Sequence, residues 1–192
     1  VQMQRKSKNS YFISDTLSQK ISETKNSQGV FAVCKMKNEN ISLKTGQKYI
    51  ALDNLQDPGN LGTVIRTAEA LGISSVILGG GCDVFNPKVL RASMGSVLRL
   101  DGFECQSLAP VLQKAKSLGI KTYATSPDSS AKKINETQFP KSSLCVIGNE
   151  ANGVSDEVMN ICDETVTIPM LGRAESLNAH VAGAIVMWEM LR

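Results

Sequence analysis

From residue 48 to the C-terminus, short apolar runs alternate with longer segments of helical spacing. The runs at 49–52, 75–78, 97–100, 121–124, 144–147 and 165–168 predict strands. The segments at 61–71, 87–94, 108–118, 155–161 and 176–191 predict helices. Gly72 and Gly119 follow helix ends, where a left-handed residue closes the last turn. The strands read as continuous apolar stretches. With strand–helix alternation, this predicts an α/β domain with a parallel sheet and helices on both faces. In 176–191, Ser176 is the expected N-cap. Leu177, Val181, Ala184, Ile185, Trp188 and Leu191 form the expected core row, and with Met187 and Met190 added the helix carries more apolar surface than one face needs.

Residues 1–47 read differently. A short helix is expected over 14–24, with Ile13, Leu17 and Ile21 four apart, then a strand over 30–34. Residues 35–47 are polar and turn-rich, a linker or exposed loop. Net charge is +3, unevenly placed: residues 1–48 carry nine Lys and Arg against Asp15, Glu23 and Glu39. A basic arm on a mildly acidic body suits an anionic partner, and equally suits an ordinary solvated surface.

No apolar run approaches the roughly 18 residues of a membrane span, and VQMQRKSKNS has charge with no apolar stretch behind it. Neither a membrane nor a secretory role is expected. Five scattered cysteines without CxxC spacing, and a single histidine, predict no metal site. They suit reduced thiols and a cytoplasmic protein. There is no GxxxxGK[ST] phosphate loop and no GxGxxG fingerprint, which disfavours a nucleotide-dependent oxidoreductase. Gly79-Gly80-Gly81 is a flexible turn or a close approach to a phosphate.

Three segments carry candidate chemistry. In DNLQDPGNLGTVIRTAEALG, 53–72, Asp57-Pro58-Gly59 is a turn, Asn60 a candidate helix cap, Gly62 lies in the first turn and Arg66 follows. Asn60, the helix N-terminus and Arg66 would offer amides and a fixed positive charge to a phosphate or a forming alkoxide. The plainer readings are a cap and a solvated helix face. In VIGNEANGVS, 146–155, Gly148 and Gly153 permit tight backbone at a strand end, where open α/β sheets hold ligands. In IPMLGRAESLN, 168–178, a strand closed by Pro169 leads through a polar loop to a helix start.

These three segments, in this order, resemble the three motifs of the SpoU (TrmH-type) RNA 2′-O-ribose methyltransferases of the SPOUT class. The third matches through Pro169, Met170, Gly172, Ser176, Leu177 and Asn178. The resemblance implies a parallel-sheet SPOUT fold with a C-terminal trefoil knot, over residues 48–192. It implies that 1–47 is a remnant of a ribosomal-protein-like RNA-binding domain plus a linker. The implied reaction is S-adenosyl-L-methionine-dependent methylation of a ribose 2′-hydroxyl, with no metal, on large-subunit rRNA first and tRNA second, by a homodimer. A non-catalytic RNA-binding module on the same fold is the competing class.

By the same resemblance, Arg66 activates the ribose hydroxyl. A guanidinium is a poor base, so stabilisation of the developing oxyanion is the expected role. Asn60, Glu150, Ser176 and Asn178 complete the implied catalytic set, with Glu150 positioning the arginine. Thr125, Gly148, Asn149, Glu150, Gly153, Ile168, Pro169, Met170, Ser176, Leu177 and Asn178 would line the methyl-donor pocket. Arg66, Lys88 and Arg91 would meet RNA phosphates; for Lys88 and Arg91 ordinary helix-surface charge is the alternative. One departure stands out: after Ser176-Leu177-Asn178 the family most often continues Val-Ser, and this chain has Ala179-His180. His180 is expected on the interface face of the last helix.

Overall fold

A computed structural model describes residues 8–24, 26–35, 42–102 and 104–192. The chain divides into two compact units, Val1–Asn38 and Glu39–Arg192. In the first, Ser14 caps α1 (Asp15–Ile21) by accepting from the Leu17 N–H, and no residue of that helix is buried. The strand expected over 30–34 does not form. Val30 and Val33 are exposed, because the described residues of this unit offer no strand for them to pair with.

The second unit is built on a seven-stranded, wholly parallel sheet. Its strands are β1 (Lys48–Asp53), β2 (Ser75–Gly79), β3 (Glu104–Cys105), β4 (Lys121–Thr125), β5 (Lys132–Lys133), β6 (Ser143–Ile147) and β7 (Glu164–Thr167). Their spatial order is β3-β2-β1-β6-β4-β7-β5. The helices are α2 (Pro58–Leu71), α3 (Pro87–Ala92), α4 (Ala109–Ser117), α5 (Asp156–Ile161) and α6 (Ala179–Leu191).

Alternation along the strands splits the interior in two. Ile50 and Leu52 of β1, Val76 and Leu78 of β2, and Cys145 and Ile147 of β6 face α2, α3 and α6. Tyr49, Ala51, Ile77, Leu144 and Val146 face the opposite way, against α4 and α5. Helices therefore cover both faces. None in the described residues is long and apolar enough to cross a membrane.

Two expected features differ. Residues 97–100 are not a strand: 96–98 form a 3-10 turn, and a two-residue strand at Glu104–Cys105 pairs with β2 instead. Val97 and Leu100 are the buried pair, a spacing of three that suits a helical turn, entered through Gly95 at φ 83°. On α6, the core side is Ala179, Gly183, Val186, Met187 and Met190, whereas Val181, Trp188 and Leu191 of the expected row face outward. The helix is apolar all round, so its periodicity could not select a face.

Candidate active site

In a parallel sheet every strand points the same way, so the loops after β1, β6 and β7 emerge at one edge. These are the loops that carry the three sequence motifs. Two contacts clamp the first two together. Asp53 Oδ2 accepts from the Ser155 backbone N–H at 2.8 Å and from its hydroxyl at 2.7 Å. Asn149 Nδ2 donates to the Asn54 carbonyl at 2.8 Å. Within the second loop Asn149 and Gly153 exchange backbone hydrogen bonds at 2.9 and 3.0 Å. Gly148 is indispensable to this turn: a Cβ there would lie 2.0 Å from the Gly153 carbonyl carbon.

Asp57, not Asn60, caps α2, accepting from the Asn60 N–H at 2.7 Å with Pro58 at the first helical position. An acidic residue directly before proline is itself an N-terminus signal. The Asn60 side chain is thereby released for tertiary work. Its Nδ2 donates to Glu150 Oε1 at 3.0 Å, and its Oδ1 lies 3.1 Å from His180 Nδ1. Glu150 also accepts from the backbone N–H groups of Gln56 and Asp57 at 3.4 and 3.3 Å. Partial burial would raise the Glu150 pKa, but the Asn60 side chain and these backbone donors outweigh it and hold the carboxyl below its ordinary range.

The third loop is different in kind. Between Pro169 and Leu177 no backbone N–H or C=O finds a hydrogen-bond partner among the described residues. Met170, Leu171 and Ser176 are exposed. Ser176 does not cap α6; Asn178 does, its Oδ1 accepting from the His180 N–H at 2.9 Å. Both residues are good caps, and the later one closes the turn. Thr125, at the end of β4, donates through Oγ1 to the Val146 carbonyl at 3.1 Å, while Gly148 is buried and Ile168 half-buried.

The basic candidates are spread. Lys88 pairs with Asp57 at 3.4 Å, tying the start of α3 to the first loop. Arg91 and Arg66 are exposed, and their side chains make no hydrogen bond or ion pair with any described residue. Arg66 lies six residues beyond Asn60, about 120° around the helix at 3.6 residues per turn, so the two side chains do not share a face. Gly62 serves packing: a Cβ there would meet the Ala92 Cβ at 2.6 Å and the Val89 carbonyl oxygen at 2.8 Å, so its absence lets α2 and α3 touch. Asp53, Asn54, Gln56 and Ser155, none of them singled out in the sequence, do much of the joining. The positive φ of Asn54, 56°, is the kind of turn signal an Asp-Asn pair gives.

The profile of the SpoU rRNA Methylase family matches residues 47–188. A 23S rRNA guanosine 2′-O-methyltransferase of Bacillus subtilis is 36% identical over 181 residues, covering 94% of this chain and 71% of that protein. A crystal structure of an RNA 2′-O-ribose methyltransferase superposes with a TM-score of 0.79 at 30% identity, covering 93% of this chain and 69% of that one. The SpoU methyltransferase AviRb of Streptomyces viridochromogenes, in complex with AdoMet, gives a TM-score of 0.70 at 32% identity, over 78% of this chain and 61% of that one.

Proposed function

The chain belongs to the SpoU rRNA methylase family, and on that footing we propose that it transfers a methyl group from S-adenosyl-L-methionine to a ribose 2′-hydroxyl of large-subunit rRNA. The observation that carries this reading is the Asn60 amide, which joins the first loop to Glu150 of the second and His180 beside the third. The large-subunit substrate is supported by the Bacillus relative, which aligns with nearly the whole chain.

The residues present suit the donor. Adenosine offers a flat apolar ring edged with hydrogen-bonding groups, and the 169–177 loop offers, beside Met170 and Leu177, backbone amides and carbonyls without a partner among the described residues. Thr125, Gly148, Asn149, Gly153, Ile168, Pro169, Ser176 and Asn178 complete that pocket in our reading. When bound, the donor supplies a methyl group on a sulfonium, open to in-line displacement. The protein's task is then positioning and charge stabilisation. Arg66, whose side chain has no hydrogen-bond or ion-pair partner among the described residues, stabilises the oxyanion forming on the ribose; Arg91 and Lys88 meet RNA phosphates.

Three further assignments rest on the same membership. The unit beginning near residue 48 is the catalytic domain, and residues 1–47 belong to an RNA-binding appendage. The last segment forms a trefoil knot, a reading in keeping with β7 lying between the earlier strands β4 and β5. The protein works as a cytoplasmic homodimer through the outward side of α6, where Trp188 is 60% exposed. The test is transfer of labelled methyl from S-adenosyl-L-methionine to ribosomal RNA, followed by nuclease digestion. A 2′-O-methylated nucleoside is expected; label on a base, or none on any RNA, defeats the assignment.

A further inference from the structure

Among the described residues, the His180 side chain, in the first turn of α6 just after the third loop, hydrogen-bonds into the first loop. The His180 backbone N–H is held by Asn178, and its ring meets Asn60. A carboxylate can only accept, so the Asn60 group 3.0 Å from Glu150 is the NH₂. The amide carbonyl therefore faces His180 Nδ1 at 3.1 Å, and that nitrogen must carry a hydrogen. We propose that His180 is a positioning residue for methyl transfer: its Nδ1–H holds the Asn60 amide in the one orientation that lets Asn60 donate to Glu150, and so locks the three loops in register.

The consequence follows from hydrogen-bond direction. Asn178, His180, Asn60 and Glu150 form one chain running from the third loop through the first to the second. If the amide turned over, its carbonyl would face the Glu150 carboxylate and its NH₂ would face the His180 Nδ1–H, so both bonds made by the Asn60 side chain would be lost. Removing the imidazole leaves the amide free to rotate without emptying the donor pocket, so turnover suffers more than donor binding. The kinetic part of this inference rests on the methyltransferase reading above; the tautomer part does not.

The single histidine makes a direct test simple. In protein labelled with ¹⁵N-histidine, two-bond proton–nitrogen correlation spectra near neutral pH should show the Nδ1–H tautomer, and Asn60→Ala should abolish that bias. An Nε2–H tautomer in the unmodified protein overturns the inference whatever the enzyme assay gives. In the assay, His180→Ala should lower kcat about tenfold, with KM for S-adenosyl-L-methionine within about twofold. His180→Asn places an amide N–H where Nδ1 was and should recover kcat to within about threefold, whereas His180→Gln, whose donor sits farther out, should not. An unchanged kcat in His180→Ala, or no recovery in His180→Asn, overturns it. If the unmodified protein methylates no RNA, the functional reading falls, and the tautomer still decides the hydrogen-bond lock.

Discussion

Asp53 and Ser155 are 102 positions apart, yet one carboxylate oxygen of Asp53 accepts both the backbone N–H and the hydroxyl of Ser155. The contact joins the last residue of β1 to the N-cap of α5. It sets the path of the Gly148–Gly153 turn between them. Asp53→Ala should cost about 1.5–3 kcal/mol of stability, the range for hydrogen bonds to a charged group. It should also weaken S-adenosylhomocysteine binding. Thermal melts with and without that ligand check both effects, and an unchanged ligand-induced shift in Tm would separate the clamp from the pocket.

The Arg66 side chain is exposed and has no hydrogen bond or ion pair among the described residues, so its removal should leave the fold alone. Arg66→Ala should lower the methyl-transfer rate by about 10²–10³ while the donor's Kd stays within about twofold. Single-turnover kinetics beside calorimetric titration give both numbers. Full activity would return Arg66 to the status of a solvated helix residue.

The Glu150 carboxyl titrates below its ordinary range because, despite partial burial, the Asn60 amide and two backbone N–H groups hold its charged form. A group with a lowered folded pKa contributes stability that is complete above its unfolded value, ordinarily 4.5, and that is lost as pH falls through the lowered one. Asp163, stabilised by Thr122 and Lys116 against the cost of burial, and Glu164, stabilised first by Lys121, act in the same direction. Stability should therefore decline on acidification below the ordinary carboxylate range. In Glu150→Gln part of that decline should vanish. Denaturant midpoints from pH 3 to 7 would show it, and an identical pH slope in the variant would count against the contact.

Trp188 is the test of the pairing surface. Trp188→Glu places a charge where α6 is apolar and exposed, and should convert a dimer into monomers with little change in monomer fold. Light scattering at micromolar concentration reads the mass. An unmodified protein that is already monomeric would defeat the dimer reading.

The alternating pattern made the sheet and both helical layers legible, because buried parallel strands leave continuous apolar runs such as Tyr49–Leu52. The motifs fall on the loops after β1, β6 and β7, but the capping duties inside them differ from the expectation. Asn60 and Ser176 are good caps by composition, yet Asp57 and Asn178 do the capping. Choosing between two adequate caps depends on the tertiary demand for the side chain left over. His180 and Asp53 were illegible for a related reason: their value lies in partners about a hundred residues away. The sequence places Gly62 in a first helical turn but gives it no role; only the packing of α2 on α3 shows that it is a helix-packing glycine.

The place of β1 in the sheet also bears on how the protein is made. One edge of β1 pairs with β2, which follows within about thirty residues, but the other waits for β6, Ser143–Ile147. A ribosome adding about 5–20 residues per second needs several seconds to bridge that interval. Throughout it, an apolar strand edge at the centre of the future domain has no neighbour. A nascent chain halted before residue 143 therefore holds β1 with one edge unpaired, and the time taken to translate across α4 and β4 sets how long each new molecule stays in that state.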